Sequence, residues 1–477
     1  MNTSQLPLLF RRPLTTALTL STQFLQHRSL PAAMVLLQLA WLALIAGTGA
    51  STRYGLILAL AVYSTAAALL VIFAPVDIVL RLREFGKRLL QSEKRPLVLL
   101  FPAAIFTGLL YANSQHVWGD EGESFRVANI VSSSELVVAY MKSGWLINHP
   151  PLMPLIYASV INLFGAELVY LRLVSALFLG GTLVVTYFLG LELYGREVGF
   201  LAAILLFSFP LVIRLGASAM LDIQLAFFFC LALLLLVRLA RKPSFRLAGA
   251  AGVVMGLGLL TKYIMVFVFG VLFLYILFIN AFRTVKFHLL VAFAVSLAVF
   301  AGWLAYANHI GLLPRQIQRI LNLSGSYHAL SSIMEDAQPA QPELQEGSVV
   351  DQGAQMQEGI FRLGLETVFT RLPSALGVHY MPLIMLAILY LFEEKNPSSL
   401  AILLWIGAVS ISLLLTLPDH RYFLPVFPAI AIAVARVLHR FPACAERTIL
   451  LGLLFEAGNL YLFADWIRES HLFLPAP

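Results

Sequence analysis

Charged residues are scarce in this sequence, and cysteine is almost absent. Asp, Glu, Lys and Arg together make up 12% of the 477 residues, about half of the roughly 25% that is usual in a soluble domain. A soluble globular protein is therefore excluded. The two cysteines, Cys230 in an apolar run and Cys444 in a basic loop, support neither a disulfide framework nor a metal cluster.

Apolar residues are abundant instead, and they fall into long runs. They account for 60% of the chain, and runs of about 20 residues, the length of a helix that crosses a bilayer, recur along most of it. We predict an all-α polytopic membrane protein with about 13 transmembrane helices. The predicted spans are at about 31–49, 55–72, 95–113, 168–191, 197–214, 219–239, 247–262, 264–281, 287–306, 374–392, 398–416, 421–438 and 447–464.

Basic residues concentrate in every second connection between these spans. By the positive-inside rule, these connections face the cytoplasm, which places the N-terminus inside and the C-terminus outside. The net charge of +7 follows from this topology, so it does not indicate nucleic acid as a partner. The predicted divisions are a cytoplasmic segment 1–30, two extra helices within 31–75, a basic linker 76–96, a main membrane domain 97–465 and an outer tail 466–477.

Two outer loops carry additional predicted structure. In the first, 113–167, residues 125–143 have apolar positions at helical spacing and 151–165 form an apolar run too short to span, so both are expected to lie at the membrane interface. In the second, 307–372, an amphipathic stretch 311–323 precedes an acidic, Gln-rich stretch 335–358 that is expected to be mobile. Residues 361–376 then return as an interfacial helix.

A polar stretch, 118–126, lies in the first of these loops. Asp120, Glu121 and Glu123 are followed by Arg126, directly after a predicted span. Acids held at a membrane surface can deprotonate an acceptor or bind a cation. The alternative is a solvated loop whose acids keep it out of the lipid.

Further charged and polar residues fall at the outer ends of predicted spans. Charges near membrane depth are costly, so each is a candidate for function. Each also has a simpler explanation: the cations can snorkel, Asp222 can cap a helix, and His149 can mark a turn. These residues are His149, Arg172, Asp222, Lys262, His379, Tyr380, His420 and Arg421.

The order of these residues resembles that of the GT-C glycosyltransferases, in particular the branch with protein O-mannosyltransferases and the aminoarabinose transferase that modifies lipid A. The resemblance covers about residues 95–440. It departs from the aminoarabinose branch at His149, where that branch has lysine; the two leading helices have no counterpart, and the outer soluble domain of some relatives is not expected. The matching residues are Asp120-Glu121, His149-Pro150-Pro151-Leu152, Phe164-Gly165 with Arg172, Leu221-Asp222 with Leu225, Leu260-Thr261-Lys262, and Arg421-Tyr422 with Pro425 and Pro428.

The resemblance implies a role for each matched residue. Asp120 corresponds to the catalytic carboxylate, and Glu121 supports its loop and the acceptor side. Asp222 and Lys262 correspond to the aspartate at the start of a later span and to the lysine of the Leu-Thr-Lys turn. Arg172 and Arg421 would hold the donor phosphate, and Lys262 is expected to converge on the same phosphate as Arg421. Asp222, His149 and His420 are further substrate-binding candidates.

The implied function is an inverting transfer of a sugar from a polyprenyl-phosphate carrier to a lipid, glycan or protein acceptor. The catalytic domain would be 97–465, in the plasma or inner membrane, with its site on the extracytoplasmic face. No cofactor is assigned from the sequence, and a divalent cation at Asp120, Asp222 and His149 stays open. Two alternatives remain: a lipid-linked-sugar transporter or flippase, and a non-catalytic lipid-binding membrane protein.

Overall fold

The computed structural model describes residues 84, 88, 90–92, 94–112, 117, 119–133, 149–278, 282–311, 367–394, 396–416 and 419–440. Within these residues every regular element is a helix. Five helices are long and apolar enough to cross a membrane, and a bent pair would make a sixth. The all-α polytopic fold predicted from the sequence is therefore confirmed, whereas the count of 13 spans stays a prediction.

Fourteen α-helices are described, and they are numbered here in chain order. They are α1 Arg95–Ala112, α2 Gly119–Ser133, α3 Leu152–Phe164, α4 Leu168–Tyr194, α5 Arg196–Phe207, α6 Pro210–Gly216, α7 Asp222–Arg241, α8 Phe245–Leu259, α9 Phe267–Phe278, α10 Phe282–His309, α11 Leu372–Leu376, α12 Met381–Glu394, α13 Pro397–Thr416 and α14 Phe427–Arg440. Short 3₁₀ segments, Tyr263–Val266, Val378–Tyr380 and His420–Val426, precede α9, α12 and α14, and a π-helical turn, Thr367–Arg371, precedes α11.

Helix α4 lies at the centre of the bundle and packs against α1, α5 and α7. Its crossing with α5 is close because both helices carry glycine there. A Cβ added to Gly199 would lie 2.4 Å from the carbonyl oxygen of Tyr187, and one added to Gly190 would lie 2.6 Å from the Cα of Gly199. Gly195, at φ +101°, supplies the left-handed turn that folds α5 back onto α4.

Helix α7 shows how the bundle separates its charges. It begins with Asp222 and ends with Arg238 and Arg241, so each charge lies at the end of the helix dipole that stabilises it. The apolar residues between them are mostly buried against α4 and α8. The charged side chains of α7 therefore lie at its two ends.

One predicted span is broken. The sequence predicts a single span over 197–214, but α5 and α6 meet at an angle of 73°. Pro210 explains the break, since proline disfavours helical geometry in the residue before it, and Phe209 is accordingly extended, with ψ 123°. The predicted span 374–392 is likewise divided, into α11, a 3₁₀ turn and α12.

The acidic stretch is also different from the predicted loop. Asp120 and Glu121 lie in the first turn of α2, where acids are favourable to the helix dipole. The apolar run 151–165 contains α3, and the described part of 125–143 is helical up to Ser133. Their location at the membrane interface stays a prediction. Several predicted segments lie outside the described residues. They are segment 1–30, the spans 31–49, 55–72 and 447–464, most of linker 76–96, residues 312–323, the stretch 335–358 and the tail 466–477.

Candidate active site

Arg421, near the C-terminal end of the described residues, contacts Asp120, which lies near their N-terminal end. Its Nη1 donates to Asp120 Oδ2 at 2.6 Å, and its Nη2 donates to Asp419 Oδ2 at 2.9 Å. The 3₁₀ segment before α14 presents this guanidinium, while the first turn of α2 presents Asp120. The side chains of Asp120 and Arg421 are 43% and 26% exposed, so an incoming molecule can reach both.

Glu121, the neighbour of Asp120, is fully buried. It accepts two hydrogen bonds from Arg172, from Nε at 2.8 Å and from Nη2 at 2.9 Å. Its Oε1 also accepts from the backbone N–H of Ala219 at 2.7 Å. The pair thus fixes α2 to the start of α4 and to the turn before α7.

Asp222 and Lys262 form a second buried pair beside Arg421. Lys262 Nζ donates to Asp222 Oδ1 at 2.6 Å, and the two side chains are 9% and 3% exposed. The ring of Tyr422 lies 4.9 Å from Lys262 Nζ and 6.0 Å from Arg421 Cζ, at cation–π distances. Tyr422 therefore links the buried pair to the exposed Arg421.

The His149 segment lies next to the Lys262 turn. The backbone N–H of Leu152 donates to the carbonyl of Leu260 at 3.0 Å, which ties the start of α3 to the turn that carries Lys262. His149 is half-buried at the bend before α3. On the other side of the site, His420 Nδ1 lies 3.1 Å from Asp419 Oδ1.

The predicted residues are thus brought together, although the pairing was not predicted. Asp120 with Arg421, Asp222 with Lys262, and Glu121 with Arg172 each form a direct contact. His379 is buried, and its ring centroid lies 4.2 Å from that of Tyr380, whose hydroxyl lies 2.7 Å from Ser208 Oγ. The phosphate role implied for Arg172 is untested, but the structure places this side chain within a buried ion pair.

Two participating charges were missed by sequence reasoning. Asp419 lies two residues before Arg421 and holds it with both carboxylate oxygens. Arg214, near the end of α6, interacts electrostatically with Arg421 and Asp419. A lone arginine within the apolar run 211–215 is the signal that could have found it, because such a charge is costly without a function.

The two carboxylates on Arg421 differ in their chemistry. Burial alone would raise the pKa of Asp419, but His420 Nδ1, 3.1 Å from Oδ1, and hydrogen bonds from Arg421 hold that pKa well below its usual range. Such a carboxylate stays ionised and is a weak base. Asp120, the more exposed carboxylate, is better placed to accept a proton from a bound molecule.

A metal site was left open by the sequence at Asp120, Asp222 and His149. In the described part of the chain, no group of three or more His, Cys, Asp or Glu side chains is close enough to hold a metal ion. Asp120 and Asp222 each bind a basic side chain instead.

Part of the chain matches a known protein family, and its fold is similar to that of solved structures. Residues 148–306 match the family described as dolichyl-phosphate-mannose-protein mannosyltransferase. No curated protein sequence matches the chain. Among solved structures, ArnT from Cupriavidus metallidurans bound to undecaprenyl phosphate is similar, with 15% identity, a TM-score of 0.56, and 79% of this chain and 78% of that chain covered.

Two further structures are similar over a smaller part of their own length. ArnT from Cupriavidus metallidurans in the apo state has 18% identity and a TM-score of 0.50, covering 72% of this chain and 59% of that one. The Archaeoglobus fulgidus oligosaccharyltransferase tethered with an acceptor peptide has 14% identity and a TM-score of 0.50, covering 80% and 56%. This chain therefore spans under two thirds of either.

At these identities the solved structures establish the fold, and the family match extends over about a third of the chain. Both agree with the resemblance found in the sequence. The chain thus has a fold similar to that of ArnT, and its residues 148–306 match the family described as dolichyl-phosphate-mannose-protein mannosyltransferase.

Proposed function

We propose that this protein is a membrane glycosyltransferase that moves a sugar from a polyprenyl-phosphate carrier to an acceptor on the extracytoplasmic face, with inversion at the anomeric carbon. The observation that carries the proposal is the contact between Asp120 and Arg421 at 2.6 Å. It joins a candidate base and a candidate phosphate-binding cation from opposite ends of the described chain. The family match over 148–306 and the similar fold of ArnT bound to undecaprenyl phosphate support it.

The reaction needs one proton acceptor and one stabilised leaving group. Asp120 takes the proton of the acceptor's hydroxyl or amine while the acceptor's lone pair forms the new bond to the anomeric carbon. The bond between that carbon and the phosphate oxygen breaks, and its electrons leave with the polyprenyl phosphate. Arg421 stabilises the charge that develops on this phosphate. A single displacement of this kind inverts the configuration.

The balance of charges at the site implies that the donor binds before the acceptor reacts. Arg214, Lys262 and Arg421 offset Asp120, Asp222 and Asp419, so a donor phosphate must compete with a carboxylate for a cation. Of the two carboxylates on Arg421, Asp120 is 43% exposed and Asp419 is 30% exposed. A phosphate that binds Arg421 displaces the more exposed Asp120, so donor binding frees the base before the acceptor reacts.

The two buried pairs hold this site in place. Lys262 is 9% exposed and already bound to Asp222, and Arg172 is 2% exposed and bound to Glu121. We therefore assign Arg172 and Glu121 to positioning α2, and Asp222 with Lys262 to supporting Tyr422 and Arg421. His149 and His420, half-buried around the same site, are assigned to substrate binding.

The transporter alternative predicts charges near mid-membrane and a pair of broken helices. Among the described residues there is one bent pair, α5 with α6, and the candidate residues lie at helix ends. These features favour the transferase over a transporter. A non-catalytic binding protein would keep the cations but would not need Asp120.

The decisive experiment replaces Asp120 with Asn in the full-length protein. Turnover is measured as polyprenyl phosphate released from a panel of undecaprenyl-phosphate-linked hexoses and pentoses, in the presence of a membrane extract that supplies lipid, glycan and protein acceptors. Binding is measured with undecaprenyl phosphate. Loss of a general base typically lowers the rate about 10²–10⁴-fold. Binding is expected to be retained, because Asn removes the carboxylate that competes for Arg421.

The matched control is Glu123→Gln. Glu123 lies three residues along the same helix and forms an exposed ion pair with Arg126 at 2.6 Å, so this variant is expected to keep nearly full turnover. If Asp120→Asn retains more than about a tenth of wild-type turnover, Asp120 is not the base. If wild-type protein binds undecaprenyl phosphate but transfers no sugar from any donor, the binding-protein alternative holds.

A further inference from the structure

A polar cleft opens at the other end of the bundle from the candidate active site. Its volume is about 620 Å³, and it lies where α4 and α7 end, α13 begins and α14 ends. Polar and apolar side chains share the lining, which includes Leu193, Tyr194, Arg241, Asn396, Ser398 and Arg436.

The helices that line the cleft also carry the active-site residues, at their opposite ends. On α4, Arg172 and Tyr194 are 22 residues apart, which at 1.5 Å per residue is about 33 Å. On α7, Asp222 and Arg241 are 19 residues apart, or about 28 Å. These lengths match the hydrocarbon core of a bilayer, about 30 Å. The cleft is thus at the opposite membrane face and too distant to take part in sugar transfer.

Two charge clusters flank this cleft, and each has one cation in excess. Glu192 binds both Arg238 Nε, at 2.8 Å, and Arg241 Nη1, at 3.1 Å. Glu394 binds Arg436 and, at 3.5 Å, Arg440. Four arginines therefore share two glutamates.

Arg241 and Arg436 each have N–H groups that the two glutamates do not engage, and these groups can bind an anion. A guanidinium has five N–H groups, and Glu192 engages one of Arg241, while Glu394 engages two of the groups of Arg436. The guanidinium of Arg436 lies 5.0 Å from the ring centroid of Tyr194, which fixes it at the wall of the cleft. Leu193 and Pro397 supply apolar surface beside these cations.

We infer that this cleft binds the phosphate of an anionic membrane phospholipid, held between Arg241 and Arg436, with the glycerol and acyl region against Leu193 and Pro397. Arginine forks bind phosphate through pairs of charge-assisted hydrogen bonds. A membrane lipid fits better than a soluble anion because the cleft combines charge with apolar lining at membrane depth. By the positive-inside rule, this basic end is predicted to face the cytoplasmic leaflet, where basic pockets between helices bind anionic headgroups. The inference does not depend on the transferase function.

The test is native mass spectrometry of the purified full-length protein with dioleoyl phosphatidylglycerol or dioleoyl phosphatidylcholine, which share acyl chains. Phosphatidylglycerol is expected to bind about tenfold more tightly or better, since a tenfold ratio is about 1.4 kcal/mol. Arg241→Gln is expected to remove most of this preference. Its matched control is Arg246→Gln, because Arg246 is exposed near the same end of the bundle but does not line the cleft.

A second variant keeps the inference testable if Arg241→Gln fails to fold. Arg440, which is 52% exposed, can be replaced by Gln to lower the charge of the other cluster, and a loss of preference of about threefold is expected. Equal binding of the two lipids would overturn the inference, and so would equal effects of Arg241→Gln and Arg246→Gln. If inorganic phosphate at the lipid's own concentration displaces phosphatidylglycerol, the ligand is a soluble anion and the lipid assignment is wrong.

Discussion

The buried pair of Glu121 and Arg172 gives the most discriminating prediction. In Arg172→Met, the Glu121 carboxylate would remain fully buried. It would lose its two hydrogen bonds from Arg172 and keep the one from the Ala219 backbone N–H. Removing one partner of a buried ion pair typically costs about 3–5 kcal/mol. That is a large part of the roughly 5–15 kcal/mol that stabilises a folded protein.

The double variant Glu121→Leu with Arg172→Met should recover most of this loss. Replacing a buried ion pair by apolar side chains is often neutral or stabilising by about 1–4 kcal/mol. The Ala219 N–H would lose its acceptor, which costs about 1–3 kcal/mol. The two effects nearly offset each other, so the double variant is expected within about 2 kcal/mol of wild type.

The assay is reversible unfolding in mixed detergent micelles, combined with binding of undecaprenyl phosphate to the same samples. Arg126→Met is the control, because it breaks the exposed pair with Glu123 and should change stability by about 1 kcal/mol or less. A double variant no more stable than Arg172→Met would refute the positioning role. An Arg172→Met protein of wild-type stability that binds undecaprenyl phosphate tenfold more weakly would make Arg172 a phosphate ligand, as the family resemblance implies.

Three further predictions concern the donor site, the helix packing and the topology. Arg421→Lys keeps the charge but loses the planar fork of the guanidinium. The affinity for undecaprenyl phosphate should therefore fall about tenfold or more, by roughly 1.5–3 kcal/mol. The control Arg126→Lys should leave this affinity unchanged, and an unchanged affinity in Arg421→Lys would contradict the prediction. Gly199→Ala should destabilise by about 1–3 kcal/mol because its Cβ would meet the Tyr187 carbonyl at 2.4 Å, whereas Gly302→Ala, with nothing within 4 Å, should be neutral or stabilising; equal unfolding midpoints would disprove the close crossing. In a Cys444→Ser background, an impermeant thiol reagent should label Glu123→Cys but not Gln91→Cys from outside intact cells, and the reverse pattern would place the candidate site in the cytoplasm.

Much of the fold could be predicted from apolar run length alone. The runs at 95–113 and 398–416 correspond to helices Arg95–Ala112 and Pro397–Thr416, because a membrane helix must satisfy its own backbone and be apolar over its length. The break at Pro210 was missed because the run 197–214 is mostly apolar on both sides of it. Proline is tolerated in membrane helices, so run length did not reveal that this helix bends.

The site was predictable as a set of residues but not as a set of pairs. Successive residues of a helix point about 100° apart, so the adjacent acids Asp120 and Glu121 meet different surroundings: one is 43% exposed and the other is fully buried. The sequence shows two neighbouring carboxylates and cannot say which one faces inward. The contact of Asp120 with Arg421 depends on how the whole bundle packs, which no local pattern encodes.

That contact has a consequence for biosynthesis. Asp120 and Arg421 are 301 residues apart in the chain, and protein synthesis proceeds at about 5–20 residues per second. Roughly 15–60 s therefore pass between the emergence of one partner and the other. During that interval the membrane already holds the first helices, with Asp120 present but its cation not yet made. If the proposed function holds, a nascent chain that ends before residue 421 can neither bind the donor phosphate at Arg421 nor transfer a sugar, so activity begins only after residue 421 has been inserted.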